Sequence, residues 1–489
     1  MDRRTFIKRS ALGLGALALG RASRVWAAVA EAKKPDVLFM MIEGTPPSRL
    51  GAWGNPICKT PSITRLASQG VRFDLAQCMA PPCNPARTSL LLGLRPESTK
   101  TFSNRTDWRQ LHPGVLTMPE HFRRNGYETV ECGKIFHGSF DTKESWDRQI
   151  GESQDLPAPT HRRNALLGPD AGQQGRARGK AAGKAKGAAA EADDDSGRGG
   201  GVPFVYGPSG LDDLEEHDGM VAEQGVRVLG QTHDKPLFLA LGFTRPHLPY
   251  SCPDKYFAMY PPEKMELPKN PVENIPKAPD QKKVTDQTWR EAIAAFYACL
   301  TFADACIGRV LDALEKSGRA DNTIIVFMAD HGYMLGEHYQ WRKGPLYEEG
   351  VTVPLIIKAP GVTQPGSVCK RPVEFIDTFP TLFDVCGIPQ PPGIEAISMK
   401  SLLENPARPW KKGAITIVGG PQNATIRTDR WRYWEYSAQK GARGGVALFD
   451  HETDPGEFYN LAQDPKYKDV VAELHGLLQG GWKACLPPQ

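Results

Sequence analysis

Short runs of strand length recur along the chain, and stretches with helical spacing of apolar residues lie between them. Residues 37–42 form a continuous apolar run, and similar runs, some of which include charged residues, cover residues 128–132, 236–243, 323–329 and 353–359. A continuous apolar run of this length is typical of a strand buried on both faces. The helical stretches cover residues 60–69, 117–125 and about 288–316. The alternation predicts an α/β fold, with a large, mostly parallel sheet sandwiched by helices.

The pattern changes near residue 414. Four short stretches at residues 414–418, 424–428, 431–436 and 447–449 are separated by turn residues, and residues 468–478 have helical spacing. They predict a smaller C-terminal antiparallel sheet followed by a helix. We therefore expect a main domain over residues 33–390 and a C-terminal subdomain over residues 400–489. Residues 168–201 are dominated by Ala, Gly, Lys and Arg, which predicts a flexible low-complexity surface insertion.

The first thirty residues have the features of a targeting segment. Arg3, Arg4 and Lys8 precede an apolar run over residues 11–19, and small residues follow at 27–30. The run is too short to span a bilayer, and the segment resembles a twin-arginine signal. It predicts transient contact with the Tat export machinery and a bacterial periplasmic location. We see no second apolar segment in the sequence that favours stable membrane insertion.

Charge and cysteine spacing exclude several classes of function. The 489 residues include 60 basic and 56 acidic ones, for a net charge of +4, which gives no indication of a nucleic-acid partner. The ten cysteines show no CxxC pairs and no zinc-type spacing, so a cysteine-bound metal is not expected. Most of them are expected to be small buried residues, and Cys83 is the exception.

Cys83 begins the sequence Cys83-Asn84-Pro85-Ala86-Arg87. This stretch resembles the signature of the sulfatase family, and the similarity extends over residues 35–465, most closely to iduronate-2-sulfatase-like members. The other matching blocks are residues 37–39, 60–62, 133–137, 245–249, 330–332, 335–338 and 448–461. The resemblance implies an alkaline-phosphatase-like fold, with residues 33–390 as the catalytic domain, and hydrolysis of sulfate esters.

The resemblance also implies a mechanism. Cys83 would be oxidised to formylglycine by a formylglycine-generating enzyme, and the hydrated aldehyde would supply a hydroxyl that attacks sulfur and a second that expels sulfate. By the same resemblance Arg87 holds the hydrate and His137 assists its deprotonation or collapse. Lys134 and Lys343 bind sulfate oxygens. His247 protonates the departing sugar oxygen.

The implied metal ligands are Glu43, Cys83, Asp330 and His331, around one calcium ion per chain that polarises sulfate. Here the chain departs from the family pattern, which has two consecutive aspartates where this sequence reads Glu43-Gly44. Glu43 has a longer side chain that must fold back to reach a cation, and Gly44 supplies no ligand. Three interpretations remain open: a working sulfatase, a sulfated-glycan-binding protein with a decayed metal site, or a phosphonate or phosphodiester hydrolase of the same superfamily.

The resemblance indicates a sulfated carbohydrate substrate. We expect Arg105, Trp108 and Trp341 to contact the sugar. Aromatic faces stack on sugar rings, and guanidinium groups pair with carboxylates. Four other residues in family-like segments are expected to be structural: Asp304, Glu337, His338 and Asp377.

Overall fold

The computed structural model describes residues 34–150, 204–271, 284–437 and 445–487. The signal predicted at residues 1–30 and the insertion predicted at residues 168–201 lie outside these ranges. The described strands are β1 (Asp36–Ile42), β2 (Val71–Gln77), β3 (Glu128–Gly133), β4 (Arg148–Ile150), β5 (Leu237–Gly242), β6 (Thr323–Ala329), β7 (Met334–Leu335), β8 (Trp341–Arg342), β9 (Leu355–Lys358), β10 (Ser367–Glu374), β11 (Ala414–Ile417), β12 (Asn423–Arg427), β13 (Trp431–Tyr436) and β14 (Gly445–Asp450).

Eight strands form the large sheet, in the order β10-β2-β9-β6-β1-β5-β3-β4. Strand β1 lies at its centre, and every residue of β1 is buried, as its apolar sequence predicts. It runs parallel to both β5 and β6. Among the eight described strands of this sheet, only β9 runs antiparallel to its neighbours, β2 and β6. The mostly parallel sheet is therefore confirmed, with one antiparallel strand inside it.

The described α-helices are α1 (Pro61–Gln69), α2 (Cys83–Leu92), α3 (Pro96–Thr99), α4 (Trp108–Leu111), α5 (Met118–Arg124), α6 (His217–Leu229), α7 (Asp254–Phe257), α8 (Asp286–Lys316), α9 (Glu348–Val351), α10 (Thr378–Cys386), α11 (Lys400–Glu404) and α12 (Lys468–Ala484). Among them, only α8 is long and apolar enough to cross a membrane, and 89% of its most apolar stretch is buried inside the protein. It is a core helix.

Helices cover both faces of the large sheet. The Phe122 ring of α5 lies 4.6 Å from that of Phe238 in β5. A Cβ added to Gly225 of α6 would lie 2.7 Å from the Leu241 side chain of the same strand. Residues 238 and 241 point to opposite faces, because side chains alternate along a strand. The predicted sandwich of helices around the sheet is confirmed.

The smaller sheet has the order β11-β12-β13-β14 and is antiparallel throughout. Helix α12 follows it, and Leu474 of α12 is buried in the hydrophobic cluster of this sheet. The predicted antiparallel sheet and final helix are both confirmed. The chain from Asp36 onward forms one compact unit, so the domain boundary between residues 390 and 400 stays a prediction.

Buried ion pairs join the smaller sheet to the rest of the unit. Lys411 Nζ lies 2.6 Å from Glu374 and 2.7 Å from Asp377, at the end of β10. Arg432 of β13 is completely buried and pairs with Glu348 and Glu457. Glu348, His451 and Glu457 lie close enough together for a metal site. Because two of these three already pair with a buried arginine, we interpret the cluster as a structural junction.

Candidate active site

Four strands of the large sheet end at one edge, and a chemically active residue follows each of them directly or within a short loop. Glu43 follows β1, Lys134 follows β3, His247 lies five residues after β5, and Asp330 follows β6. The four strands are parallel neighbours, so their carboxyl ends meet, as is usual for sites in such sheets.

Cys83 is the first residue of helix α2, and all ten residues of this helix are buried. The side chain of the next residue, Asn84, donates to the carbonyl oxygens of Ser103 and Thr106 at 3.0 and 2.8 Å, while its backbone N–H donates to Asn104. These contacts fix the start of the helix. No role for Asn84 was predicted from the sequence, although its position directly after Cys83 was a signal for one.

Three side chains contact the sulfur of Cys83. Glu43 Oε1 lies 2.6 Å away, Lys343 Nζ 3.0 Å and His331 Nε2 3.3 Å. Burial and Glu43 oppose ionisation of the thiol, but Lys343 and His331 hold its pKa below the ordinary value for cysteine. Position 83 is therefore surrounded by groups that bind and orient an anionic or polar centre.

Arg87, one helical turn after Cys83, bridges the ends of β1 and β6. Its Nη2 donates to Glu43 Oε2 at 2.8 Å and its Nε to Asp330 Oδ2 at 2.8 Å. Its Nη1 donates to the carbonyl oxygens of Lys134 and Ile135. The guanidinium is completely buried, and a buried charge persists only when it is paired. Arg87 thus fixes the relative positions of the two carboxylates.

Glu43, Cys83, Asp330 and His331 form a cluster in which all four possible ligand atoms lie within 4.8 Å of one another, and all four residues are buried. Two carboxylates, an imidazole and a fourth donor suit a divalent cation. The structure therefore places together all four residues that the sequence analysis assigned to the metal, and this donor set fits such an ion.

Gly44 lies in the loop after β1, at a position where neighbouring rings leave no room for a side chain. A Cβ at this residue would lie 2.9 Å from Cε1 of His331 and 3.0 Å from Cδ2 of Tyr333, and its φ is +23°. Its backbone N–H donates to Asp330 Oδ1 at 3.0 Å. The imidazole of His331 packs where a side chain at residue 44 would begin, so the loop presents Glu43 as its single carboxylate.

The charges around the cluster shift the pKa values of its members. Burial opposes ionisation of Glu43, but Lys134 and Arg87 hold its pKa well below the usual range. Burial likewise opposes protonation of His331, but Asp330 and Cys83 raise its pKa to about 9. Lys134 and Arg87 thus keep the carboxylate of Glu43 ionised at neutral pH.

The remaining predicted catalytic residues lie around the same edge. Lys134 Nζ is 3.4 Å from Glu43 Oε2, and the charge of His247 is close enough to lower the pKa of Glu43. Nδ1 of His247 lies 2.8 Å from the carbonyl oxygen of Leu248. His137 is buried four residues after β3, with its ring 6.4 Å from that of Phe140.

Two of the predicted sugar contacts are wrong. Trp108 is only 2% exposed, stacks on Phe136 and donates its indole N–H to the carbonyl of Phe140. Trp341 is 8% exposed and packs against Trp289. Rings enclosed in this way have no free face for a sugar. Arg105 is exposed, and its role stays a prediction.

The residues expected to be structural have structural contacts. Asp304 accepts backbone N–H bonds from Ser62 and Ile63 at the start of α1, and Asp377 pairs with Lys411. Glu337 pairs with Arg49. The ring of His338 stacks on Tyr347 at 3.7 Å. All ten cysteines lie in the described residues, are buried and form no disulfide.

Comparison with known proteins identifies the family. The family model described as Sulfatase matches residues 35–388, and the one described as N-sulphoglucosamine sulphohydrolase, C-terminal, matches residues 336–482. A sulfatase of Formosa agariphila is 30% identical over 92% of this chain and 87% of its own length. Iduronate 2-sulfatase of Mus musculus is 27% identical over 73% of this chain and 69% of its own length.

Among solved structures, a protein in complex with its substrate D-glucosamine-2-N,6-O-disulfate superposes with a TM-score of 0.71, at 19% identity, over 92% of this chain and 98% of that one. At that identity the likeness shows the fold alone. The fold, the family model and the relatives agree with the geometry around Cys83, and the chain belongs to the sulfatase family of sulfuric ester hydrolases.

Proposed function

We propose that the protein removes sulfate from a sulfated polysaccharide or oligosaccharide, using formylglycine formed at Cys83 and one bound calcium ion. The observation that carries the proposal is the set of contacts around Cys83, in which Glu43, His331 and Lys343 meet one buried sulfur. A formylglycine at this position supplies, when hydrated, a hydroxyl nucleophile and a second hydroxyl for release of sulfate.

In this proposal Glu43, Asp330, His331 and the group at residue 83 would hold the cation, which would supply charge stabilisation for the sulfate oxygens. Arg87 keeps Glu43 and Asp330 at a fixed separation through its two bonds of 2.8 Å. The site thus needs no rearrangement of its carboxylates when sulfate arrives, which is the condition for efficient electrostatic stabilisation.

Lys343 and Lys134 bind the sulfate oxygens. Lys343 already lies 3.0 Å from the side-chain atom of residue 83, where the sulfur of the substrate has to arrive. Lys134 lies beside Glu43 and is only partly buried. Two ammonium groups beside the reacting centre stabilise the negative charge that gathers on sulfate oxygens in the transition state.

The two histidines move protons. A carbonyl oxygen only accepts hydrogen bonds, so the bond from His247 Nδ1 to Leu248 keeps a proton on Nδ1 and leaves Nε2 to hold the proton that is transferred. His247 would give that proton to the departing sugar oxygen. His137 would take or return the proton of the hydroxyl at residue 83.

The sulfated carbohydrate as substrate rests on the relatives. Curated relatives include an ulvan-active sulfatase of Formosa agariphila, and the superposed structure carries a disulfated glucosamine. We further propose that residues 33–390 form the catalytic domain and residues 400–489 a C-terminal subdomain. Residues 1–30 would direct export to the periplasm.

The test is sulfate release by the protein co-expressed with a formylglycine-generating enzyme, after the mass of the Cys83 peptide confirms conversion. A panel of sulfated sugars is assayed with calcium and with chelator, and Cys83→Ala is the matched control. We expect release from at least one sugar, its loss with chelator and none from the control. Conversion without release would favour a sulfated-glycan-binding protein, and faster turnover of phosphonate or phosphodiester substrates would favour that class of hydrolase.

A further inference from the structure

We propose that Asp218 is a positioning residue for the acid step, holding the loop of residues 244–249 so that His247 faces the site at Cys83. The inference rests on the proposed function, because it assigns a support to the residue proposed to protonate the leaving group. The observation behind it is a set of hydrogen bonds that converge on one buried carboxylate.

Asp218 is the second residue of helix α6 and is 1% exposed. Its Oδ1 accepts bonds from the backbone N–H of Thr244 at 2.9 Å and from the Thr244 hydroxyl at 2.8 Å. Its Oδ2 accepts a bond from the backbone N–H of Arg245 at 2.8 Å. The three donors belong to two consecutive residues, and His247 follows two residues later.

The carboxylate is suited to this task by its surroundings. Nδ1 of His217 lies 3.1 Å from Oδ1, and the guanidinium of Arg245 is nearby. Although burial opposes ionisation, His217 and Arg245 hold the pKa of Asp218 below its usual value. An ionised carboxylate has only acceptor sites, so both oxygens can face N–H and O–H donors at once.

Further hydrogen bonds join residues within the loop of residues 244–249, and one contact joins this loop to the backbone of Glu43. The backbone N–H of His247 donates to the Thr244 carbonyl at 2.8 Å, and the backbone N–H of Glu43 lies 3.4 Å from the Arg245 carbonyl. The Arg245 guanidinium donates to the Pro249 carbonyl at 3.3 Å. The carboxylate of Asp218 therefore fixes Thr244 and Arg245, and the Thr244 carbonyl in turn holds the backbone of His247. The contact between Arg245 and the backbone of Glu43 is longer and therefore weaker.

Asp218→Asn is the informative change, because it keeps the size of the side chain but turns an NH2 group toward at least one of the loop's donors. The loop must then shift or leave an N–H unpaired. A displacement of about 1 Å in a catalytic group can lower a rate by roughly 100-fold. The loss should fall on kcat rather than KM, since Asp218 itself contacts no substrate.

The experiment compares a sugar sulfate with 4-nitrophenyl sulfate, whose leaving group departs without a proton. For Asp218→Asn we expect kcat on the sugar ester to fall by about 100-fold and kcat on the aryl ester to change far less. His247→Ala should show the same selectivity. Asp304→Asn is the matched control, because Asp304 is also a buried carboxylate that accepts two backbone N–H bonds, and its loss should affect both esters equally.

Equal losses on both esters for Asp218→Asn, or none, would overturn the inference while leaving the proposed function intact. If the wild-type protein released no sulfate at all, the proposed function would fail. The positioning would then be judged by hydrogen–deuterium exchange, which should rise in residues 244–249 of Asp218→Asn and not of Asp304→Asn. If Asp218→Asn does not fold, Thr244→Val removes only the hydroxyl bond and should show a smaller selectivity of the same sign.

Discussion

Replacing Gly44 with aspartate tests how the loop after β1 is built, because this change restores the carboxylate pair that the family pattern has. The Cβ of the new residue would lie 2.9 Å from the His331 ring and 3.0 Å from Tyr333. Both rings are enclosed in the core, so neither has room to withdraw. We therefore expect Gly44→Asp to destabilise the protein and to bring no gain in cation binding.

The magnitude follows from two contributions. A residue other than glycine in a left-handed backbone conformation costs roughly 1–2 kcal/mol, and the φ of +23° at Gly44 lies in that direction. Forcing an extra side chain into a packed region costs roughly 1–3 kcal/mol. Together the free energy of unfolding should fall by about 2–5 kcal/mol. Any movement of the loop also breaks the bond from Gly44 N–H to Asp330, which displaces a residue proposed to bind the metal.

The measurement is urea unfolding of wild type, Gly44→Ala and Gly44→Asp, with calcium titration calorimetry on each. Gly44→Ala separates steric strain from charge, and we expect it to lose as much stability as Gly44→Asp. If Gly44→Asp unfolded at the wild-type urea concentration and bound calcium more tightly, the steric reasoning would be wrong. Gly44 would then mean only that one ligand has been lost, and the loop would still have room for an aspartate at this position.

Three further predictions concern other parts of the molecule. Lys343→Ala removes the ammonium group 3.0 Å from residue 83, so kcat for sulfate release should fall roughly 100- to 1,000-fold with an unchanged melting temperature. Lys411→Met leaves the buried carboxylates of Glu374 and Asp377 without their shared partner, and urea unfolding should show a loss of about 3–5 kcal/mol. Burial raises the pKa of Asp304 from 3.8 to about 6, so the folded protein favours the protonated form of this carboxyl. The free energy of unfolding should therefore be about 3 kcal/mol higher below about pH 4 than above pH 6, and it should fall as the pH rises between these values. Asp304→Asn should flatten the pH dependence of unfolding over that range.

Local pattern predicted the parts of the fold that are surrounded by apolar neighbours. Strands β1 and β6 are buried along their whole length, and helix α8 is buried along most of the stretch from Trp289 to Leu314. Their sequences therefore carry an uninterrupted or periodic apolar signal. Strand β2 was not predicted, because one of its faces is only partly buried and carries Arg72 and Asp74. The direction of β9 was not predicted either, since strand orientation depends on how the chain returns to the sheet.

The candidate site was predictable only as separate short motifs. Cys83 and Arg87 share one turn of helix, and Asp330 and His331 are adjacent, so the sequence indicated both pairs. The bridge from Arg87 to Glu43 and Asp330 requires the ends of β1 and β6 to be neighbours, although almost 290 residues separate them. The burial of Trp108 likewise depends on Phe136 and Phe140, which no pattern around Trp108 indicates.

The position of β2 has a consequence for synthesis of the chain. Its two neighbours in the sheet, β9 and β10, lie almost 280 residues or more further along the sequence. At roughly 5–20 residues per second, β2 leaves the ribosome about 15 to 55 seconds before either partner exists. A strand with both edges unpaired is an aggregation hazard. For most of its synthesis the nascent chain therefore contains this strand without its native neighbours, and protection of β2 during that period would lower the hazard.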